Sequence, residues 1–248
     1  MKKIAYIFLF LSQFIWANNP FEKGNDLYQK GKYQDAIQSY ETILAQGQES
    51  AEVYFNLGNC YYKLSRVAPA VFNFEKALLL SPNDTEIENN LAFAQKMAID
   101  DIQQVSQVGF SKIIADFTSI FHYDTWAWIS IILAVFALVC FIVYYYSYQT
   151  TVKRIFFAGI LLGLFFVLLS LFSGFYEQNR LLNEKPAIVF VDVVNVKSEP
   201  NATASNAFIL HAGTKVNILE SLDNYYKIQI ADLKEGWLDR SVVKEIKK

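Results

Sequence analysis

The sequence predicts a multidomain membrane protein in three parts: an all-α helical-repeat region, a two-helix transmembrane hairpin and a small all-β barrel. That division rests on three features of the chain. Small and aromatic residues recur 34 positions apart in the N-terminal third, two central runs carry no charged side chain, and apolar residues alternate from Ala187 onward. The 248 residues are 53% hydrophobic and 19% charged, which excludes a disordered chain. Lys and Arg number 22 against 24 Asp and Glu, so the basic excess of a dedicated nucleic-acid binder is missing. Mean hydropathy is +0.19, high for a soluble protein.

Residues 1–17 begin with Lys2 and Lys3, continue through the apolar stretch Ile4 to Leu11 and close on Trp16-Ala17 before Asn18. A basic start, a short apolar core and a small residue before a polar break predict a signal peptide. Ile15 is larger than the usual residue three positions before cleavage, and an uncleaved anchor is the alternative. Either version exports the region after Ala17.

The region 18–100 holds the repeat, with copies at about 18–50 and 51–84 and a capping helix at 85–98. Gly24 recurs as Gly58, Ala36 as Ala70 and Tyr40 as Phe74. The second copy reads Tyr54, Leu57, Gly58, Tyr61, then Ala70, Phe74, Ala77 and Pro82. Period and spacing resemble the tetratricopeptide (TPR) repeat, a helix-turn-helix unit. Gly58 and Ala70 are small where paired helices approach, and Tyr54, Leu57, Tyr61 and Phe74 fill the space between them. Pro82 stops the second helix, whereas Pro69 falls in its first turn, where a missing N–H is tolerated. So short a stack leaves a surface open; either the last helix caps it or a partner's helix completes it.

The resemblance implies that the first helices of the repeats form an inner, partner-binding face. It maps to Phe21, Asn25 and Tyr28, then Phe55, Asn59, Tyr62 and Lys63, then Asn89, Phe93 and Lys96. Asn25 and Asn59 are alternatively ordinary consensus residues of the repeat. One subtype clamps a peptide carboxylate with asparagines and basic side chains. Asn25 and Asn56 fit it, but Phe21, Glu86 and Asn90 stand where its basic residues belong. From Asn18 to Asp101 there are seven basic and twelve acidic residues, a surface that repels a carboxylate and suits basic or apolar protein partners.

After a linker at 101–124, transmembrane helices are expected at 125–147 and 155–176, with a cytoplasmic loop at 148–154. About 20 apolar residues cross a bilayer, and buried helices of soluble proteins are rarely so long and so free of charge. Trp126, Trp128, Tyr144, Tyr145, Tyr146 and Tyr148 supply the interfacial aromatics. Lys153 and Arg154 are the only charges of the loop, which places it in the cytoplasm and both soluble regions outside. Gly159 and Gly163 form a Gly-x-x-x-Gly, a motif frequent by chance in such helices. Cys60 and Cys140 lie in different regions and offer neither a disulfide framework nor a zinc site.

A second linker, 177–186, leads to 187–248. Short β-rich runs at 187–194, 208–210, 215–220, 225–230 and 242–246 alternate with turns such as Glu199-Pro200-Asn201 and Asp232 to Gly236. The blocks from Val194 to Pro200, His211 to Val216, Tyr225 to Ile228 and Glu235 to Leu238 resemble a bacterial SH3-like domain. That resemblance implies an aromatic groove lined by Tyr225 and Trp237; the alternative places Trp237 in the barrel core.

No motif for nucleophilic, nucleotide-dependent or metal chemistry is present, and His122 and His211 stand apart from any partner at motif spacing. The expectation is a non-enzyme without cofactor or metal. The order of segments, with Asp124-Thr125-Trp126-Ala127, Phe208 to Thr214 and Lys234-Glu235-Gly236-Trp237, resembles the E component of the Bat aerotolerance-operon proteins of Gram-negative bacteria (BatE-like). The resemblance implies an inner-membrane scaffold with periplasmic domains beside other Bat-type proteins, in envelope or oxidative-stress tolerance. Peptidoglycan binding or sensing through the SH3-like domain is the alternative.

Overall fold

The computed structural model describes residues 19–100 and 109–247. The expected signal segment and residues 101–108 of the first linker lie outside them. The chain divides into two units: the N-terminal helices together with residues 185–248, and the intervening stretch 106–184.

Among the described residues, five helices open the first unit: α1 (Pro20–Gln29), α2 (Tyr33–Ala45), α3 (Ala51–Lys63), α4 (Val67–Leu80) and α5 (Thr85–Gln95). Side chains cap three of the starts: Asn19 accepts from Phe21 N–H, Ser50 from Val53 N–H, and Asp84 from Glu86 and Ile87 N–H. Gly31 and Ser65 occupy the same position in the α1–α2 and α3–α4 turns and share a left-handed backbone, φ 73° and 55°. The small residues of the repeat are fixed by packing. A Cβ on Gly24 would meet the Tyr40 ring at 2.5 Å, and one on Gly58 the Phe74 ring at 2.6 Å.

The same unit contains seven strands: β1 (Pro186–Val189), β2 (Val193–Lys197), β3 (Asn206–His211), β4 (Lys215–Leu222), β5 (Tyr225–Gln229), β6 (Glu235–Asp239) and β7 (Val243–Glu245). Their order in the sheet is β3-β2-β6-β5-β4-β1-β7, with antiparallel pairing. Five strands were expected. β6 falls partly where the sequence predicts a turn, because Gly236 is a packing glycine. A Cβ there would lie 2.5 Å from Val196 Cγ1 and 2.9 Å from the Lys197 carbonyl oxygen.

The sheet packs on the helices through β1. Ala187 and Val189 belong to the sheet's own core, whereas Ile188 and Ile246 belong to the helical core, which includes Ala68, Val71 and Phe72 of α4. Phe190 meets Phe72 edge-on at 5.6 Å, and Lys244 Nζ lies 4.4 Å from the Phe72 ring centroid. A strand buried on both faces has no polar alternation, which is the pattern of Ala187 to Val191. The chain's own C-terminal sheet therefore covers part of α4.

The second unit holds α6 (Phe110–Thr118), α7 (Tyr123–Tyr146) and α8 (Thr150–Asn183). The last two are long and apolar enough to cross a membrane, with 24 and 34 residues. They approach closely at small residues: Cβ atoms on Gly159 and Gly163 would lie 3.1 Å from Cys140 Sγ and 3.0 Å from Ala137 Cβ. Ser170 Oγ donates to the Trp126 carbonyl at 2.7 Å. Thus the fold class expected from the sequence is the one found: a helical-repeat region, two long apolar helices and an antiparallel C-terminal sheet.

Candidate partner-binding faces

α1, α3 and α5 are the first helices of successive repeats, and the inner-face residues sit along them. Phe21, Tyr28, Phe55 and Tyr62 are half-buried, with their inner edges against the helical core. Phe21 packs on Tyr40 at 6.0 Å, Tyr28 on Tyr33 at 5.3 Å and Phe55 on Phe74 at 5.9 Å. Each therefore packs on the core with one edge and keeps part of its surface exposed. Phe93 differs: it is 53% exposed, with Lys96 Nζ 5.6 Å from its ring centroid. Lys63 is exposed at the end of α3, and Asn59 is half-buried.

Asn25 is tied into the repeats. Its Oδ1 accepts from Tyr40 Oη at 2.7 Å and from Asn56 Nδ2 at 3.2 Å, which joins α1 to α2 and to α3. Asn56, outside the expected set, thus connects the two repeats. Beside Phe21, a cleft of about 320 Å³ opens between α1, α2 and α3, walled by Ile43 and Val53 and edged by Glu49 and Glu52. Its apolar floor and acidic edge suit a basic or apolar side chain. Cys60 is buried in the helical core, and burial pushes its thiol up to about 12, so it remains a packed, unreactive group.

On the sheet, Tyr225 and Trp237 share one face. Lys227 pairs with Trp237 and Tyr225 with Asp239, so the outward side chains of β5 and β6 alternate with the buried Tyr226 and Leu238. Trp237 is half-buried at the surface, and Leu238 takes the core position. Lys197 of β2 stands opposite Trp237, and Lys227 is held by Glu235 at 2.7 Å.

A further cluster joins helices and sheet through residues that spacing could not have paired. Asp100 accepts from the His211 backbone N–H at 2.7 Å and the Thr214 hydroxyl at 2.6 Å, and meets His211 Nδ1 at 2.6 Å. Burial alone would raise the Asp100 carboxyl, but the hydrogen bonds from Thr214 and His211 outweigh it and hold it below its ordinary range. Glu75, 8% exposed in α4, is paired with Lys215 at 2.8 Å. A glutamate within the apolar run of α4 was the available signal, since buried charges require partners. Among the described residues no group of His, Cys, Asp and Glu is arranged to hold a metal ion.

Residues 24–65 match the family described as TPR repeat, and residues 51–84 the tetratricopeptide repeat. Residues 192–244 match the bacterial SH3 domain. The Hsp70-Hsp90 organizing protein of Triticum aestivum is 33% identical over 70 residues, 28% of this chain and 12% of that protein. Hsp70-Hsp90 organizing protein 2 of Arabidopsis thaliana is 33% identical over 61 residues, 25% of this chain and 11% of its own length. Tetratricopeptide repeat protein 16 of Homo sapiens is 29% identical over 69 residues, 28% of this chain and 8% of its own. The chain thus spans about an eighth or less of these relatives.

Proposed function

We propose that this protein is a non-catalytic, membrane-anchored scaffold that holds a protein partner on the α1–α3–α5 face of its repeats. One observation carries the reading: the chain's own sheet packs on α4, the second helix of the second repeat, through Phe72 and Glu75, whereas an aromatic ring of α5 stays exposed. Phe93 of α5 is 53% exposed, and Phe55 and Tyr62 of α3 are half-buried. Exposed aromatics are typical anchors of protein contacts. The surplus of acidic residues among 18–101 favours a partner that is basic or apolar along the contact. In this reading α7 and α8 cross the inner membrane, the linking loop is cytoplasmic, and repeats and sheet lie in the periplasm. The helical pair confines the repeats to a surface and raises their effective concentration toward other membrane proteins. The order of segments fits a Bat-type envelope complex, with other Bat-type proteins as the partners.

The test is cross-linking in native membranes from a photoreactive residue at Phe93, with identification of the captured protein. Recovery of a distinct membrane or periplasmic protein supports the scaffold. Recovery of the protein itself alone points to a homo-oligomer, and recovery of nothing from a well-expressed chain sinks the reading.

A second reading, peptidoglycan binding, is favoured by the outward Trp237 between Lys197 and Lys227, with Tyr225 on the same face. Saturable sedimentation of the protein with sacculi, abolished by Trp237→Ala, would support it.

A further inference from the structure

The stretch the sequence presents as a linker contains α6, and its surface is divided into three stripes. Thr118 is fully buried, and its carbonyl oxygen accepts from Trp126 Nε1 at 2.9 Å. Phe117 and Phe121 pack on the Trp126 ring at 5.6 and 5.3 Å. Trp126 thereby pins the end of α6 to the start of α7, and Ser170 ties the same residue to α8. With successive residues about 100° apart around the helix, Ile113 and Phe117 form a second stripe, and Lys112 and Asp116 a third. The second stripe is solvent-facing although apolar: Ile113 is 64% exposed and Phe117 40%. Ile120 and Phe121, which follow α6 in the chain, are exposed as well, and so are Trp128, Ile131 and Ile132 of α7.

We propose that α6 is an interfacial helix, with Ile113, Phe117, Ile120 and Phe121 seated in the headgroup–acyl boundary of the bilayer and Lys112 and Asp116 facing water. The proposal rests on the reading of α7 and α8 as membrane spans. Continuity selects the lipid surface as the occupant. The apolar stripe ends at Phe117 and Phe121, which pack on Trp126 at the start of α7, an aromatic cluster of the kind found at membrane–water boundaries. An amphipathic helix of this pattern lies in the interface plane with its apolar side inserted. The chain would then hold the bilayer in two ways, through its hydrocarbon core and along its surface.

The experiment uses the full chain with Cys60→Ala and Cys140→Ala, reconstituted in vesicles of phosphatidylcholine and phosphatidylglycerol. Single spin labels are placed by Lys112→Cys, Ile113→Cys, Asp116→Cys and Phe117→Cys, with Ile132→Cys and Leu164→Cys as mid-helix references. Collision with oxygen, which concentrates in lipid, is compared with collision with a water-soluble nickel chelate. The expected oxygen-to-nickel ratio is several-fold higher at 113 and 117 than at 112 and 116, and highest at 132 and 164. Nickel access at 113 and 117 equal to that at 112 and 116, with 132 and 164 still in lipid, overturns the interfacial helix alone. Water access at 132 and 164 as well overturns the membrane reading and the proposal with it. Shielding of 113 and 117 from both reagents also overturns it and makes the stripe a protein interface.

Discussion

Asp100 and His211 are 111 residues apart, yet one carboxylate grips the histidine twice, at its backbone N–H (2.7 Å) and at its ring Nδ1 (2.6 Å). Both apolar helices lie between them in the sequence. The contact makes the C-terminal domain part of the repeat fold rather than an appendage.

Removing that carboxylate leaves the Thr214 hydroxyl and the His211 N–H without their acceptor. Asp100→Ala should destabilise the docking by about 2 kcal/mol, the scale of a charge-assisted hydrogen bond. Faster amide exchange in α4 and in the 211–214 turn would report it. The acid dependence has a defined sign. The folded-state pKa of Asp100 is lowered, so its contribution is complete above the unfolded value of about 3.9 and is lost as pH falls through the folded one. The wild type should keep its docking at pH 5 and lose part of it only below about pH 4. In Asp100→Ala that acid-dependent part should vanish; an unchanged acid profile would assign it to other carboxylates.

Gly58→Ala tests packing against propensity. In a helix interior the change alone favours folding by about 1 kcal/mol. Here the added Cβ would lie 2.6 Å from a ring atom of the fully buried Phe74. Overpacking of this kind costs about 1–3 kcal/mol, and the ring has nowhere to go inside the core. We expect a lower thermal midpoint. A raised one would mean that Phe74 can move aside.

The repeat was legible because its physics is local: small residues 34 apart must face the rings that cross them. The apolar helices were legible because a span depends on composition over one stretch. The docking of sheet on helices was written in the chain without being readable as a pair. The unbroken Ala187 to Val191 run and the buried Glu75 signal two-sided burial, but neither says what covers the second face. The partner of Glu75 is Lys215, 140 positions on, and spacing carries no information over that distance. α6 escaped notice for a different reason. Nine residues with a lysine and an aspartate fall short of the length at which periodicity becomes decisive. The inner-face aromatics were placed by resemblance, and sequence could not tell that Phe55 is half-committed to Phe74 whereas Phe93 is free on most of its surface.

That difference directs mutagenesis of the inner face. Phe93→Ala removes an exposed ring and should leave the thermal midpoint nearly unchanged. If the ring anchors a partner, co-purification should fall by about thirtyfold in affinity, equivalent to about 2 kcal/mol. Phe55→Ala combined with Tyr62→Ala should weaken binding too, but with a loss of stability, since both rings pack on the helical core. Full binding by Phe93→Ala, with binding lost only in variants that also unfold, would remove this face from consideration.

Topology provides the last test, and the Asp100–His211 contact sharpens it. Two residues at 2.6 Å must lie on one side of any membrane. If α7 and α8 both cross, their outer ends return to the same side, which is what the contact demands. Lys153 and Arg154, near the start of α8, then select the side of the connection between the helices, because basic residues stay in the cytoplasm. Reporter enzymes active only outside the cytoplasm should be active when fused after Asp101 and after Lys248. One inserted between Ser147 and Arg154 should be silent. Opposite signals from the first two fusions would be incompatible with the docked sheet, whatever the orientation. Two silent termini with an active loop would preserve the docking and the hairpin but reverse the assignment made from the two basic residues.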